Sequence, residues 1–447
     1  MRGVYTALLV ALLGVTLLLP GAGGALAAAG IWLACVLVVA RSHPNGLMSL
    51  ACLYLVLLGL FHLGLVVPVT LHPGPGELPE WLASRHLPTA LGLFSTAAVA
   101  VALGATLVPV PAREEPESHL PAEPQLFRVG RAVAALGAVL LWIGVWQLGL
   151  LSSGYDVYFE RAMSEDVRFF GFGLMLFPIG LLVAAVGATP RQMAWLAAGF
   201  GLVMGPLFLS GFRGPVLVQM ISLSAVWAHK DARVARRVSL IAAAAALVLI
   251  PVIRMTRNAG EEEKRDLRVG PMAVFEEAGG SIYPLVVTAE GVESGTEPLW
   301  LGRSYLFGLK RIVPNVSTRW RAPGGRVLTP SAWATLQADP WTFEHGGGIG
   351  FSGIAEPYLN FGKAGVVLFF FAVGFVIRRF DGWLERDPFR AAVGAASFGA
   401  VLWTVRNDSI ELFRVLAIAS LTVLAAWAVA RFAAQRARAA DQDWRTE

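Results

Sequence analysis

The densest run of reactive residue types in the 447-residue chain is Glu344-His345-Gly-Gly-Gly-Ile-Gly-Phe-Ser-Gly-Ile-Ala-Glu356-Pro-Tyr358-Leu-Asn360-Phe-Gly362. His345 carries an imidazole able to exchange protons near neutral pH. The glycines at 346, 347, 348, 350 and 353 let the backbone take positive φ and approach a ligand closely. Successive free N–H groups along such a run form an anion-binding concavity. Glu356 and Asn360 stand four apart and share a face if that part is helical. Tyr358 and Asn360 are candidate contacts for a polar ring such as a sugar. The bland alternative is a flexible re-entry loop closed by a capping acid.

Cationic partners for that stretch lie elsewhere in the chain. Ser210-Gly-Phe-Arg213-Gly-Pro215 is a tight turn with a single arginine, whose fork suits phosphate or carboxylate. Its plain alternative is an arginine snorkelling from a helix end. Arg254 and Arg257 are three apart and face the same way on a helix. Arg406, with Asp408 nearby, occupies another short loop. All four arginines are candidate lipid-phosphate contacts, with headgroup or solvent contact as the alternative. Tyr155 and Asp156 fall in a polar-aromatic loop that could stack on and bind a glycan, though an interfacial aromatic belt has the same composition. His62 lies inside an apolar run, where a hydrogen bond to a neighbouring helix accounts for it.

The elements that position these residues are read from composition. The chain is 56% hydrophobic and 15% charged, with a mean hydropathy of +0.62. A soluble fold with so few charges could not cover its surface. Its apolar runs approach the ~20 residues that span a bilayer as helix. The expectation is an all-α polytopic membrane protein with about twelve transmembrane helices: Val4–Leu19, Ala25–Ala40, Leu47–Val69, Pro88–Val108, Ala132–Leu151, Phe169–Ala188, Met193–Ser210, Pro215–Trp227, Val238–Ile253, Ala364–Ile377, Ala391–Trp403 and Leu412–Ala430. The first is read as an uncleaved helix rather than a signal peptide. With the N-terminus in the cytoplasm, inside loops and tails hold eighteen Lys and Arg against six in the short outer loops. That bias places both termini inside and one long loop outside.

The division is then a membrane domain over 1–253 with a cytoplasmic linker at 109–130, a large outer loop over 254–363, a second membrane part over 364–430, and a cytoplasmic tail over 431–447. Within the large loop, Leu299–Val313 mixes apolar residues with Arg303, Lys310 and Arg311 as an interfacial helix would. The net charge of +5 comes from Arg clusters at the ends of apolar runs, which points to membrane topology and not to nucleic acid. Cys35 and Cys52 sit inside apolar runs as core residues. No Walker or HExxH motif is present, and the first outer loop, Pro20–Gly23, holds no acid. No metal or cofactor is expected.

The helix count, the large outer loop late in the chain, the Ser210–Pro215 turn and the His345–Gly362 stretch entering a helix together resemble the oligosaccharide repeat-unit polymerases, the Wzy class that includes O-antigen polymerases. The resemblance implies a metal-independent glycosyltransferase of the bacterial inner membrane with its active site facing the periplasm. It implies transfer of a growing glycan from undecaprenyl pyrophosphate to a sugar hydroxyl of another lipid-linked unit. In that reading His345 or Glu356 is the base, and Arg213 with Arg254, Arg257 or Arg406 steadies the leaving pyrophosphate. A chain-length regulator and a flippase are the implied protein partners. Two rivals share parts of the pattern. An O-antigen ligase would transfer the glycan to a lipid A core. A polysaccharide transporter or flippase would show internal repeats and polar residues at mid-membrane.

Overall fold

The computed structural model describes residues 2–18, 24–71, 79–108, 123–151, 168–241, 275, 278–312, 328–345, 347–384 and 387–446. Among these, every regular element is a helix. The chain begins with α1 (Arg2–Leu18), α2 (Ala25–Ser42), α3 (Leu50–Leu63) and α4 (Val66–Leu71). Then come α5 (Leu87–Leu107), α6 (Pro124–Gln147), α7 (Arg168–Gly187), α8 (Pro190–Leu209) and α9 (Arg213–Lys230). Four shorter helices follow: α10 (Ile282–Glu293), α11 (Arg303–Lys310), α12 (Pro330–Ala338) and α13 (Pro340–Glu344). The last three are α14 (Ala355–Trp383), α15 (Pro388–Trp403) and α16 (Ile410–Thr446).

Seven of the described helices are long and apolar enough to cross a membrane: α2, α5, α6, α7, α8, α14 and the Ile410–Phe432 part of α16. Two shorter apolar helices, Gly3–Leu18 and Leu50–Leu63, accompany them. The chain is a multi-pass membrane protein. Several of the twelve expected spans take a different form. Pro215–Trp227 belongs to a helix of 18 residues, Arg213–Lys230. Leu47–Val69 is divided at Gly64 and Leu65 into α3 and α4. Val238–Ile253 lies mostly outside the described residues.

Close helix contact is made by small residues. Gly130, Gly137 and Gly144 on α6 recur every seven residues, as do Gly173, Gly180 and Gly187 on α7. A Cβ on Gly137 would meet the backbone of Phe177, and one on Gly180 the backbone of Ala134. The two helices therefore run antiparallel with their backbones touching, the packing that lipid favours because it offers no hydrophobic drive between helices. Gly104 and Gly374 bring α5 and α14 together in the same way. Helix α5 is the central post, buried continuously from Leu93 to Thr106.

About 28 Å along α14 from Gly362, at 1.5 Å per residue, a second polar cluster closes the far end of the bundle. Asp381 is fully buried and accepts from the Leu50 N–H at 3.2 Å. His43 Nε2 sits 3.2 Å and His229 Nε2 3.7 Å from its carboxylate oxygens. The Asn45 amide nitrogen meets His229 Nε2 at 3.0 Å. This cluster ties the α2–α3 turn, α9 and α14 together.

Replacing Gly137 with Leu is expected to separate α6 from α7. The cost exceeds the about 1–3 kcal/mol of ordinary overpacking, because the side chain meets backbone that cannot rotate away. Thermal unfolding of the detergent-purified variant checks this, and an unchanged midpoint would contradict the packing described.

Candidate functional site

The stretch from His345 to Gly362 does not run straight into a spanning helix. Gly362 has φ 64° and ψ −154°, so α14 is broken there into a half-helix, 355–361, and the span that follows. The expected start of that span at Ala364 falls just past the break. A break frees carbonyls that the next turn would have bonded. The Leu359 carbonyl accepts from the Trp300 N–H at 3.0 Å, and the Asn360 carbonyl from the Leu301 N–H at 3.0 Å. The Asn360 side-chain oxygen accepts from the Gly302 N–H at 2.9 Å. Leu301 takes φ 48° to make this turn, a conformation uncommon for a residue with a Cβ.

Glu356 is 2% exposed. Its carboxylate accepts from the Ser409 N–H at 2.7 Å and from the Ser409 hydroxyl at 3.0 Å. One turn on, Asn360 donates to the Ser304 hydroxyl and to the Glu356 carbonyl, both at 2.8 Å. The two residues share a face as the spacing predicts, and both point inward. Tyr358 is also buried.

The segment 404–409 is the second wall. The Phe351 N–H donates to the Arg406 carbonyl at 3.1 Å, and the Gly353 N–H to the Val405 carbonyl at 3.3 Å. A Cβ on Gly353 would overlap the Thr404 carbonyl oxygen. Asp408 accepts from the Ser331 hydroxyl at 2.7 Å, which fastens α12 to the same wall. The Gly347 N–H bonds the Thr342 carbonyl at 2.9 Å and the Ile349 N–H the Thr335 hydroxyl at 3.4 Å. The alternate N–H groups of the glycine run are thus engaged within the protein. Positive charge at this end comes from side chains.

Two arginines are placed to give it. Arg406 is exposed, with its guanidinium 5.7 Å from the centre of the Phe61 ring. Gly350, at φ 77°, passes beside it: a Cβ there would lie 3.7 Å from Arg406 Nε. Arg213 opens α9 and is 8% exposed. Its neighbour Gly214 lies against Trp403, whose indole would be 3.5 Å from an added Cβ. Both arginines therefore stand at the end of the bundle where the half-helix enters.

His345 caps α13 and is exposed. Its ring stacks on Trp341 with centroids 4.1 Å apart. Nδ1 lies 2.8 Å from the Trp341 carbonyl, so Nδ1 carries the proton and Nε2 is the acceptor of the neutral ring. Burial, and secondarily the negative charge of Asp339 and Glu290, pushes the Tyr283 phenol above its ordinary range. Hydrogen bonds from Thr342 hold the Asp339 carboxyl below its own. Burial also raises the Tyr305 phenol, with Glu356 adding to the effect.

The short helices between α9 and α14 are tied down over this end. Glu293 on α10 accepts from Thr89 at 2.9 Å and meets His86 Nδ1 at 2.7 Å, both on or beside α5. Glu297 joins the indoles of Trp300 and Trp333 at 2.7 and 2.9 Å. Tyr155, Asp156, Arg254 and Arg257 lie outside the described residues. Among the described residues, no group of three His, Cys, Asp or Glu side chains is arranged to hold a metal ion.

Several contributors escaped sequence reasoning. Ser409 and Ser304 carry no motif; each becomes visible only when loops 53 and 56 residues from its partner fold back. His62 was expected to bond a neighbouring helix, and its Nε2 instead meets the Ser352 hydroxyl in the entry loop at 2.8 Å.

The fold is that of a multi-pass helical membrane protein with a polar cluster at a helix break, covered by short helices. Residues 138–437 match the family of the O-antigen polysaccharide polymerase Wzy, and the chain belongs to that family. Membership makes it a glycosyltransferase-type polymerase of the membrane, acting on lipid-linked oligosaccharide. No curated protein and no solved structure matches the chain.

Gly353→Ala is expected to push the Thr404 carbonyl away and open the contact between the two walls. Polymer formation should fall about 100-fold, as for other displacements near 1 Å around a reacting centre. The rate per membrane-inserted molecule checks this, and a wild-type rate would contradict the close approach.

Proposed function

We propose that this end of the bundle faces the periplasm and transfers a growing glycan from undecaprenyl pyrophosphate to a sugar hydroxyl of another lipid-linked unit, without a metal. The observation that carries the reading is Arg406, exposed yet fixed between Phe61 and the Gly350 backbone, with Arg213 at the same end of the bundle. In the reaction the acceptor oxygen bonds the anomeric carbon. The bond from that carbon to the pyrophosphate oxygen breaks, and its electron pair leaves with the pyrophosphate. Negative charge grows on that leaving group, and preoriented guanidinium groups stabilise it where it develops. Arginines of this kind supply the charge for which other transferases use a metal.

The acceptor proton goes to His345 Nε2. Its tautomer supports the role, because the Trp341 carbonyl holds the proton on Nδ1 and leaves Nε2 as base. Glu356 is committed to Ser409 and holds the wall that carries Arg406. Asn360 braces the same half-helix, on which Tyr358 stands buried. Arg254, Arg257, Tyr155 and Asp156 belong to this reading as further lipid-phosphate and glycan contacts. A flippase that delivers the units and a chain-length regulator complete its partners.

The test is polymerisation by the purified protein of polyprenyl-pyrophosphate-linked repeat units, with and without a chelator. The expected product is a ladder of chain lengths that the chelator does not alter. Addition of single units to a lipid A core acceptor, with no ladder, would favour ligation. Arg213→Ala is expected to abolish the ladder while the protein still reaches the membrane, and persistent long polymer would remove Arg213 from the mechanism. His345→Ala is expected to slow turnover by about 10²–10⁴-fold, the usual worth of a positioned base. Near-normal turnover in that variant would remove His345 from the base role.

A further inference from the structure

His62 stands outside the residues that match the family and touches none of the groups assigned a chemical part. It is nonetheless fixed from three sides. Nδ1 lies 2.9 Å from the Leu58 carbonyl, which only accepts, so Nδ1 carries the proton. Nε2 of the neutral ring is then the acceptor for the Ser352 hydroxyl at 2.8 Å. The ring stacks on Phe94 of α5 with centroids 5.7 Å apart. Ser352 passes the constraint onward. Its oxygen accepts from the Ile354 N–H at 3.2 Å, and its carbonyl from the Ala355 N–H at 2.9 Å, where the half-helix begins. Phe61, the next residue back, lies under Arg406.

The pair is not a nucleophile and its base, since His62 and Ser352 are both 0% exposed and can touch no substrate. We propose that His62 is a positioning residue: through Ser352 it sets the first turn of the half-helix that carries Glu356, and so the wall that carries Arg406. The last turn of α3, just before its interruption at Gly64, thereby aligns both walls of the site. The kinetic part of this inference rests on the transfer reading above; the mechanical part does not.

The experiment uses full-length protein in nanodiscs and two measurements. The first is hydrogen–deuterium exchange of the peptide covering residues 347–362 without substrate. His62→Ala and Ser352→Ala should each speed exchange there, and His62→Gln, which returns an acceptor at about the reach of Nε2, should restore protection. The second is turnover of lipid-pyrophosphate-linked units. Both alanine variants should lose about 10- to 100-fold in kcat with KM little changed. The double variant should be no worse than the poorer single one, because both act through one hydrogen bond. His62→Gln should recover most of the loss. Exchange unchanged in His62→Ala, losses that multiply in the double variant, or a glutamine variant as poor as alanine would each overturn the proposal. Wild-type protein that makes no polymer, with exchange still rising in both alanine variants, would overturn the transfer reading and leave the positioning role supported.

Discussion

A helix embedded among other helices cannot break unless the carbonyls it frees find donors. The interruption of α14 at Gly362 meets this requirement with the backbone of Trp300 and Leu301, while the Asn360 side chain takes the Gly302 N–H. Most of the site follows from that exchange. The break holds residues 355–361 as a separate half-helix, places Glu356 beside Ser409, and anchors the start of α11 to the bundle. Leu301 takes a left-handed conformation at this point. Such a residue costs about 1–3 kcal/mol and persists only where its surroundings over-determine it. The three hydrogen bonds donated by the N–H groups of Trp300, Leu301 and Gly302 supply that determination.

A second interruption ends α3. Helix α3 stops at Leu63, and Gly64 approaches the backbone of Phe275 too closely for a side chain. The ends of two discontinuous helices therefore face each other across Ser352. Irregular backbone in a bundle is tolerated where protein, not lipid, surrounds it, and the short helices α10 and α12 are bonded over this end. The transporter alternative draws on discontinuous helices too, but there they come as repeats in matching positions. Here the two breaks differ in length, neighbours and chemistry, and the family match assigns the chain to polymerases.

Much of this was legible in the sequence because the physics is local. Long apolar runs become helices wherever backbone groups lack water, and the runs at Ala25, Pro88, Phe169 and Ala391 begin within three residues of the observed helices. The glycines between 346 and 353 announced close approach, and Gly353 makes one. What Gly353 approaches was not legible: its partner is the Thr404 carbonyl, 51 residues further on. The break at Gly362 was hidden because its caps come from residues 300–302. The seven-residue glycine spacing on α6 and α7 was present in the sequence and is the signal that pairs those helices. Ser352 and His62 are 290 residues apart, and neither type at its position carries a motif.

The resulting site separates two kinds of group. Glu356, Asn360, Ser352 and His62 are buried and bonded to one another's segments, a frame closed to solvent. Arg406 and His345 are exposed, each set by an aromatic ring: Phe61 for the guanidinium, Trp341 for the imidazole. Such a division suits a polymerase whose substrate lengthens with every cycle. The growing glycan cannot be enclosed, so specificity and charge stabilisation must be supplied from one side. A rigid buried frame keeps the exposed groups preorganised without closing over them, and preorganised charge is where most of the stabilisation of a developing anion comes from. Glu356 contributes to that frame through the two hydrogen bonds it accepts from Ser409, which hold the wall on which Arg406 stands.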